Sequence, residues 1–153
     1  MIVAIAFDHA GVPLRERLLQ VVRGLGHELL DLGTDRPEPA VDYPEKALAV
    51  GRAVASGQAE RGVLVCGSGA GVAVAACKVR GVRAATVHDT YTAHQSVEHD
   101  NLNVICLGGR VVGPELAAEI VEAFLRARFS GAERHVRRLA EVAEIERTGG
   151  ATA

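Results

Sequence analysis

Five short apolar runs recur along the chain, each broken by glycine or polar residues and most followed by a stretch with helical spacing. Residues 2–7, 27–32, 63–66, 83–87 and 103–107 read as buried strands. Between them, residues 14–23 read as a helix entered at Pro13 and closed by Gly24 and Gly26, and residues 43–57 as a second, entered at Pro44. A third helix is expected from the glycine turn after Cys66 to about Val79, and a fourth, polar one over residues 88–99. Residues 33–42, with Pro37 and Pro39, form a loop. Helices over 115–129 and 133–147 end the pattern, and residues 148–153 read as a disordered tail.

Strands alternating with helices predict a doubly wound, Rossmann-like α/β fold, with a five-stranded parallel sheet covered on both faces. Residues 1–147 read as one domain. Its last helix leads to no further strand, so it is expected as an extra C-terminal element that packs against a second copy. In such folds ligands gather at the carboxyl ends of the strands, where strand order reverses. Asp8-His9 follows strand one and Cys66-Gly67-Ser68-Gly69-Ala70-Gly71 follows strand three. In the common order 2-1-3-4-5 those two strands are neighbours.

Composition narrows the partners. At 153 residues and a net charge of −2, the chain carries no general attraction for nucleic acid. Three phenylalanines and two tyrosines leave little for base stacking. No apolar run reaches membrane length, and Met1 leads straight into the first strand, so a cytoplasmic location is expected and no membrane contact. Cys66, Cys77 and Cys106 show neither disulfide nor zinc spacing, and no pair of histidines has metal spacing, so no metal is expected.

The glycine-rich stretch carries the chemistry. Gly67, Gly69 and Gly71 let a backbone approach a ligand closely, and the helix that follows presents unpaired N–H groups. Such a place favours an oxyanion, and it favours the thiolate of a cysteine beside it. Cys66 stands there; Cys77 and Cys106 read as packing residues, and His27, His88 and His94 as surface groups.

Asp8-His9-Ala10-Gly11, Asp42-Tyr43-Pro44, the Cys66–Gly71 stretch, His99-Asp100-Asn101-Leu102-Asn103, Gly109-Arg110-Val111 and Arg134-His135-Val136-Arg137-Arg138 occur in one order. In that order they resemble the ribose-5-phosphate isomerase B / galactose-6-phosphate isomerase family over about residues 1–147. The resemblance implies a cofactor-independent aldose–ketose isomerisation through a cis-enediolate. It implies Cys66 as the base, since the glutamate that some relatives carry six residues on is Val72 here. It places the oxyanion on the amides of Gly67, Ser68, Gly69, Ala70 and Gly71, with Ser68 in the position of a threonine or serine of relatives. His99 corresponds to the ring-opening acid–base group, with Asp8 on the same sugar oxygens and Tyr43 at the substrate. His9, Arg110, Arg134 and Arg138 correspond to the phosphate contacts, whereas Arg137 points about 100° away from Arg138 around the helix. The resemblance further implies a homodimer with a shared site, or a tetramer built from it.

One position departs from the pattern. Relatives specific for ribose 5-phosphate usually carry asparagine where this chain has Asp100. A carboxylate cannot donate the hydrogen bond that an amide does. Ribose 5-phosphate is the default substrate, and a tetrulose 4-phosphate or an allose or galactose 6-phosphate fits the same chemistry. A non-catalytic phosphate-binding domain is the alternative of another class; it would have no need of Cys66 and His99. A receiver-like signalling domain would need paired acids after strand one, which are absent from the sequence.

Overall fold

A computed structural model describes residues 1–150. The strands are β1 (Ile2–Phe7), β2 (Glu28–Asp31), β3 (Arg61–Cys66), β4 (Ala84–Thr86) and β5 (Val104–Gly108). The helices are α1 (Arg15–Gly24), α2 (Tyr43–Ala55), α3 (Ala70–Ala76), α4 (Thr90–Asp100), α5 (Pro114–Arg126) and α6 (Glu133–Thr148). All strand pairs are parallel, in the order β2-β1-β3-β5-β4. The doubly wound α/β architecture is as expected, and β1 and β3 are neighbours as expected.

The outer order is not. β5 lies inside and β4 at the edge, because all five residues of Val-Ile-Cys-Leu-Gly are buried while Ala-Ala-Thr is short and partly open. A two-sided apolar strand belongs in the middle, and a short polar-ended one suits an edge. The alternation of side chains splits the core into two layers. Val3, Ile5, Phe7, Val63, Val65, Ile105 and Leu107 pack on α1, α4 and α5. Ala4, Ala6, Leu64, Cys66, Val104 and Cys106 pack on α2 and α3.

Two further expectations change. α3 ends at Ala76, because after Cys77, its cap, the backbone bonds tighten to three-residue turns at Lys78, Val79 and Val82. Cys77 is therefore exposed and not a core residue; its thiol donates to the Ala84 carbonyl at 3.3 Å. α6 runs one residue past its expected end, to Thr148, and Gly149 closes it at φ 64°. Residues 151–153 of the expected tail lie outside the described residues. Of the 16 residues of α6, His135 alone is buried, so most of this helix is open to solvent in the single chain.

Candidate active site

Asp8, Tyr43, Cys66, Gly67, Ser68, Gly71, Arg110 and Val111 line a cleft of about 400 Å³ at the carboxyl ends of β1, β3 and β5. Cys66 ends β3 with its side chain on the α2–α3 face. The turn that follows is set by Gly69, at φ 81°, whose backbone lies so close to β5 that a Cβ would come within 3.0 Å of the Leu107 carbonyl carbon. That conformation aims the Gly69 amide at Sγ of Cys66, 3.1 Å away. An amide donated to sulfur stabilises the thiolate.

Gly69 and Ala70 thus already have acceptors, Cys66 Sγ and Ser68 Oγ, the latter at 3.3 Å. Gly71 and Val72 open the first turn of α3 and have no acceptor within the helix. With only seven residues α3 has a small dipole, so these local N–H groups, rather than the helix as a whole, are the donors an anion would meet.

Asp8 is buried, and its Oδ1 accepts from the amides of Ala10 and Gly11 at 2.8 and 3.0 Å. Those bonds fix the carboxylate while Oδ2 is left for the cleft. His9 Nδ1 donates to the Val41 carbonyl at 3.3 Å, so the proton sits on Nδ1 and Nε2 is the free edge. A Cβ on Gly67 would lie 3.8 Å from Nη1 of Arg110, which places the guanidinium over the loop. The Arg110 amide donates to the Gly67 carbonyl at 3.0 Å.

His88, read from sequence as a surface group, is half-buried, and its Nε2 accepts the Gly108 amide at 3.0 Å. It holds the strand end beside Cys66, since Gly108 pairs with Cys66 in the sheet. Burial pushes the Cys106 thiol well above the ordinary cysteine value, in keeping with its reading as a packing residue.

The remaining expected residues form a second group. His99 and Asp100 end α4, which runs antiparallel to the strands and returns to the amino end of β5. Arg83, just before β4, bonds the Asn101 carbonyl at 2.8 Å through Nε, which fixes that placement. The register pairs Cys66 with Gly108 and Gly62 with Val104. Four parallel-strand steps of about 3.3 Å therefore separate the two ends by roughly 13 Å. Within one chain, His99 and Asp100 lie at the far end of the sheet from Cys66.

Arg134 and Arg138 are on α6 beside them. Asp100 and Arg138 line a second cleft, of about 310 Å³, with Cys77, Arg83, Ala84 and Leu102. Among the described residues Arg110, Arg134 and Arg138 have no ion-pair partner, whereas Arg137 lies 3.8 Å from Glu141. Gln95 donates to Nδ1 of His99 at 2.8 Å, so Nε2 carries the imidazole proton. His135, adjacent to this group, was not singled out from sequence; its signal was a lone histidine among the arginines of α6.

A family model described as Ribose/Galactose Isomerase matches residues 3–142. The chain belongs to the ribose/galactose isomerase family. The ribose-5-phosphate isomerase B of Escherichia coli is 40% identical over 144 residues, covering 94% of this chain and 95% of that protein. The D-erythrulose-4-phosphate isomerase of Pectobacterium atrosepticum is also 40% identical, over 129 residues, covering 84% of this chain and 85% of that one. The structure of Clostridium thermocellum ribose-5-phosphate isomerase B superimposes with a TM-score of 0.92 at 42% identity, covering 97% of this chain and 99% of that one. This chain is a cofactor-independent isomerase of sugar phosphates. No helix among the described residues of the isomerase is long and apolar enough to cross a membrane.

Proposed function

We propose that this isomerase interconverts ribose 5-phosphate and ribulose 5-phosphate through a cis-enediolate, in a site completed by a second copy of the chain. The observation that carries the reading is the Cys66 thiol at the cleft, with the Gly69 amide on its sulfur and no histidine of its own chain at that end of the sheet to open a sugar ring except His9 and His88, both held by backbone. A second copy that brought its α4–α6 end to this cleft would supply His99, Asp100, Arg134 and Arg138. The open face of α6 suits such a contact, with Val136, Val142 and Ile145 exposed.

The steps then move protons alone. His99 donates its Nε2 proton to the ring oxygen while the O1 hydroxyl proton passes to Oδ2 of Asp8, which opens the furanose to the aldehyde. The Cys66 thiolate takes the C2 proton, and the electron pair moves into the C1–C2 bond to give the enediolate. O1 carries the developing charge, met by the amides at the start of α3 and by Ser68. The O2 hydroxyl proton goes to O1, the Cys66 thiol returns its proton to C1, and the ketose results. The guanidinium groups of Arg110, Arg134 and Arg138 provide forked donors for the phosphate dianion, with His9 beside them.

A second reading keeps the chemistry and shortens the sugar to a tetrulose 4-phosphate. Asp100 favours it, since it replaces a donor with an acceptor at the reacting end. Proton NMR in deuterated water, against four-, five- and six-carbon sugar phosphates, reports both turnover and the carbon that exchanges. Exchange at C1 of ribulose 5-phosphate supports the reading; turnover confined to a four- or six-carbon substrate overturns it. Mixing Cys66→Ala with Arg138→Ala chains tests the shared site. Activity regained after verified subunit exchange supports it, and none regained places both residues in one site of one chain.

A further inference from the structure

α6 buries one residue, and that residue is a polar one. His135 is 1% exposed, while Arg134, Val136, Arg137 and Arg138 around it face outward. Its ring stacks on His99 with centroids 4.2 Å apart and planes 30° off parallel. Nδ1 is hydrogen-bonded to Ser130 Oγ at 2.6 Å. Ser130 in turn accepts the Ala132 amide at 3.2 Å, and its own amide donates to the Glu98 carbonyl at 3.0 Å. One serine therefore ties the turn before α6 to the residue preceding His99.

Nε2 of His135 is buried and has no partner among the described residues. A buried polar atom left unpaired is costly, and a phenylalanine would fill the same space without that cost. Packing alone therefore does not ask for histidine here. What histidine adds is a flat ring whose rotation is fixed by Ser130 and whose face lies against His99. The groups around it are His99 and Asp100 on α4 and Arg134 and Arg138 on α6. Burial, with His99 and the two arginines, holds His135 below the ordinary histidine value, and Asp100 opposes this. A neutral ring can lie against His99 without opposing charge on it.

The geometry points to His135 as a positioning residue for the ring-opening step: it clamps the plane of His99 while Gln95 fixes its tautomer, so that Nε2–H of His99 is held toward the sugar. This rests on the reading of His99 given above. His135 touches no sugar itself, since its ring is enclosed between α4 and α6. Its effect must pass through His99, and it must be confined to the reaction of the cyclic sugar.

That confinement supplies the test. Ribulose 5-phosphate is acyclic, so exchange of its C1 proton with deuterated water requires Cys66 and not ring opening. In the oligomer as isolated, His135→Leu removes the stack and His135→Phe keeps a ring but loses the Ser130 bond. General acid–base groups contribute about 10²–10⁴-fold, so a loosened His99 is expected to lose about tenfold or more in kcat on ribose 5-phosphate in His135→Leu, and less in His135→Phe. C1 exchange from ribulose 5-phosphate is expected to stay within about twofold of wild type in both variants, as chemistry that bypasses His99 should. Equal losses in the two assays, in the variant whose thermal unfolding matches wild type, overturn the proposal and leave His135 a structural residue. No loss in either assay overturns it too. His99→Ala is run beside them: if it slows C1 exchange as much as turnover, the ring-opening reading of His99 fails first. If His99→Ala separates the two assays and the His135 variants do not, only the positioning role fails.

Discussion

The amide of Gly69 points at the sulfur of Cys66 from 3.1 Å, and the same glycine is the residue whose left-handed backbone makes the turn. The proposed base and the device that stabilises its anion are thus consecutive parts of one strand-to-helix connection. Cys66→Ala removes only the base and a small volume, so the fold and inorganic phosphate binding should persist. Turnover should fall by about 10²–10⁴-fold, the usual worth of such a group. Cys66→Ser should be nearly as inactive, because a hydroxyl ionises far less readily than a thiol. Alkylation should be run in a Cys77→Ser background, since Cys77 is exposed and would react first, while Cys106 is enclosed. Iodoacetamide should then inactivate, and substrate should protect. A Cys66→Ala protein retaining a large share of wild-type turnover would remove Cys66 from the chemistry.

Gly69→Ala should be more damaging to the protein than any other change in the loop. At φ 81° an L-residue is strained, and the new Cβ would meet the Leu107 carbonyl carbon and Thr86 Cγ2, each at 3.0 Å. Such a conformation costs on the order of 1–3 kcal/mol before any movement of β5. Relief by shifting the turn would carry the amide away from Cys66. Denaturant unfolding and kcat should therefore fall together. An unchanged unfolding midpoint with lost activity would mean that the strain is absorbed locally.

How much of this was legible in the sequence follows from what is local. The ends of β1 and β3 were, because apolar runs stop at Asp8 and at Cys66-Gly67, and each stop is a property of a few neighbouring residues. The place of β4 was not, since pairing is a long-range choice that depends on β5 being buried on both faces. The separation of His99 from Cys66 is of the same kind: it follows from α4 running back along the sheet, a fact of topology and not of motif. His135 is hidden within the run Arg134-His135-Val136-Arg137-Arg138, because the arginines on either side give the segment the look of a phosphate-binding face. Only its burial against His99 distinguishes it. Cys77 misled for the opposite reason: the small apolar residues before it run up to the end of the helix at Ala76, and the cysteine stands one residue beyond it.

Away from the site, Arg15 and Asp31 tie α1 to the end of β2 through two hydrogen bonds, at 3.0 and 2.5 Å. The Arg15 guanidinium, helped by the Gly33 amide, holds the Asp31 carboxyl below the usual carboxylate range. A carboxylate depressed in the folded state stabilises above its unfolded value, about 3.9, and that contribution is lost as pH falls through the folded value. The pair is partly exposed, so after screening it contributes about 0.5–1 kcal/mol. Asp31→Asn should lower the unfolding midpoint at pH 7, and the difference from wild type should close as the solution is taken below about pH 4. A difference that persisted undiminished at low pH would assign the effect to the neutral hydrogen bonds.

Asp100 is the residue on which substrate choice should turn. It is exposed at the end of α4, next to His99, and it lines the cleft that also contains Arg138. In the proposed shared site this end of the chain meets the reacting carbons held by Cys66 of a second copy. A carboxylate there accepts from a sugar hydroxyl, whereas an asparagine amide could also donate to the carbonyl oxygen or the enediolate. Loss of a matched donor at a buried polar contact costs on the order of 1–3 kcal/mol, enough to reorder sugars that differ by one carbon. Ribose 5-phosphate should therefore be turned over without being the sole good substrate, with a tetrulose 4-phosphate as its rival. Asp100→Asn should move the ratio of kcat/KM toward ribose 5-phosphate by about tenfold, the lower part of that range. Steady-state kinetics on both sugars, for both proteins, decide the matter. A change by one common factor on every substrate would mean that Asp100 acts through His99 and has no hand in selecting the sugar.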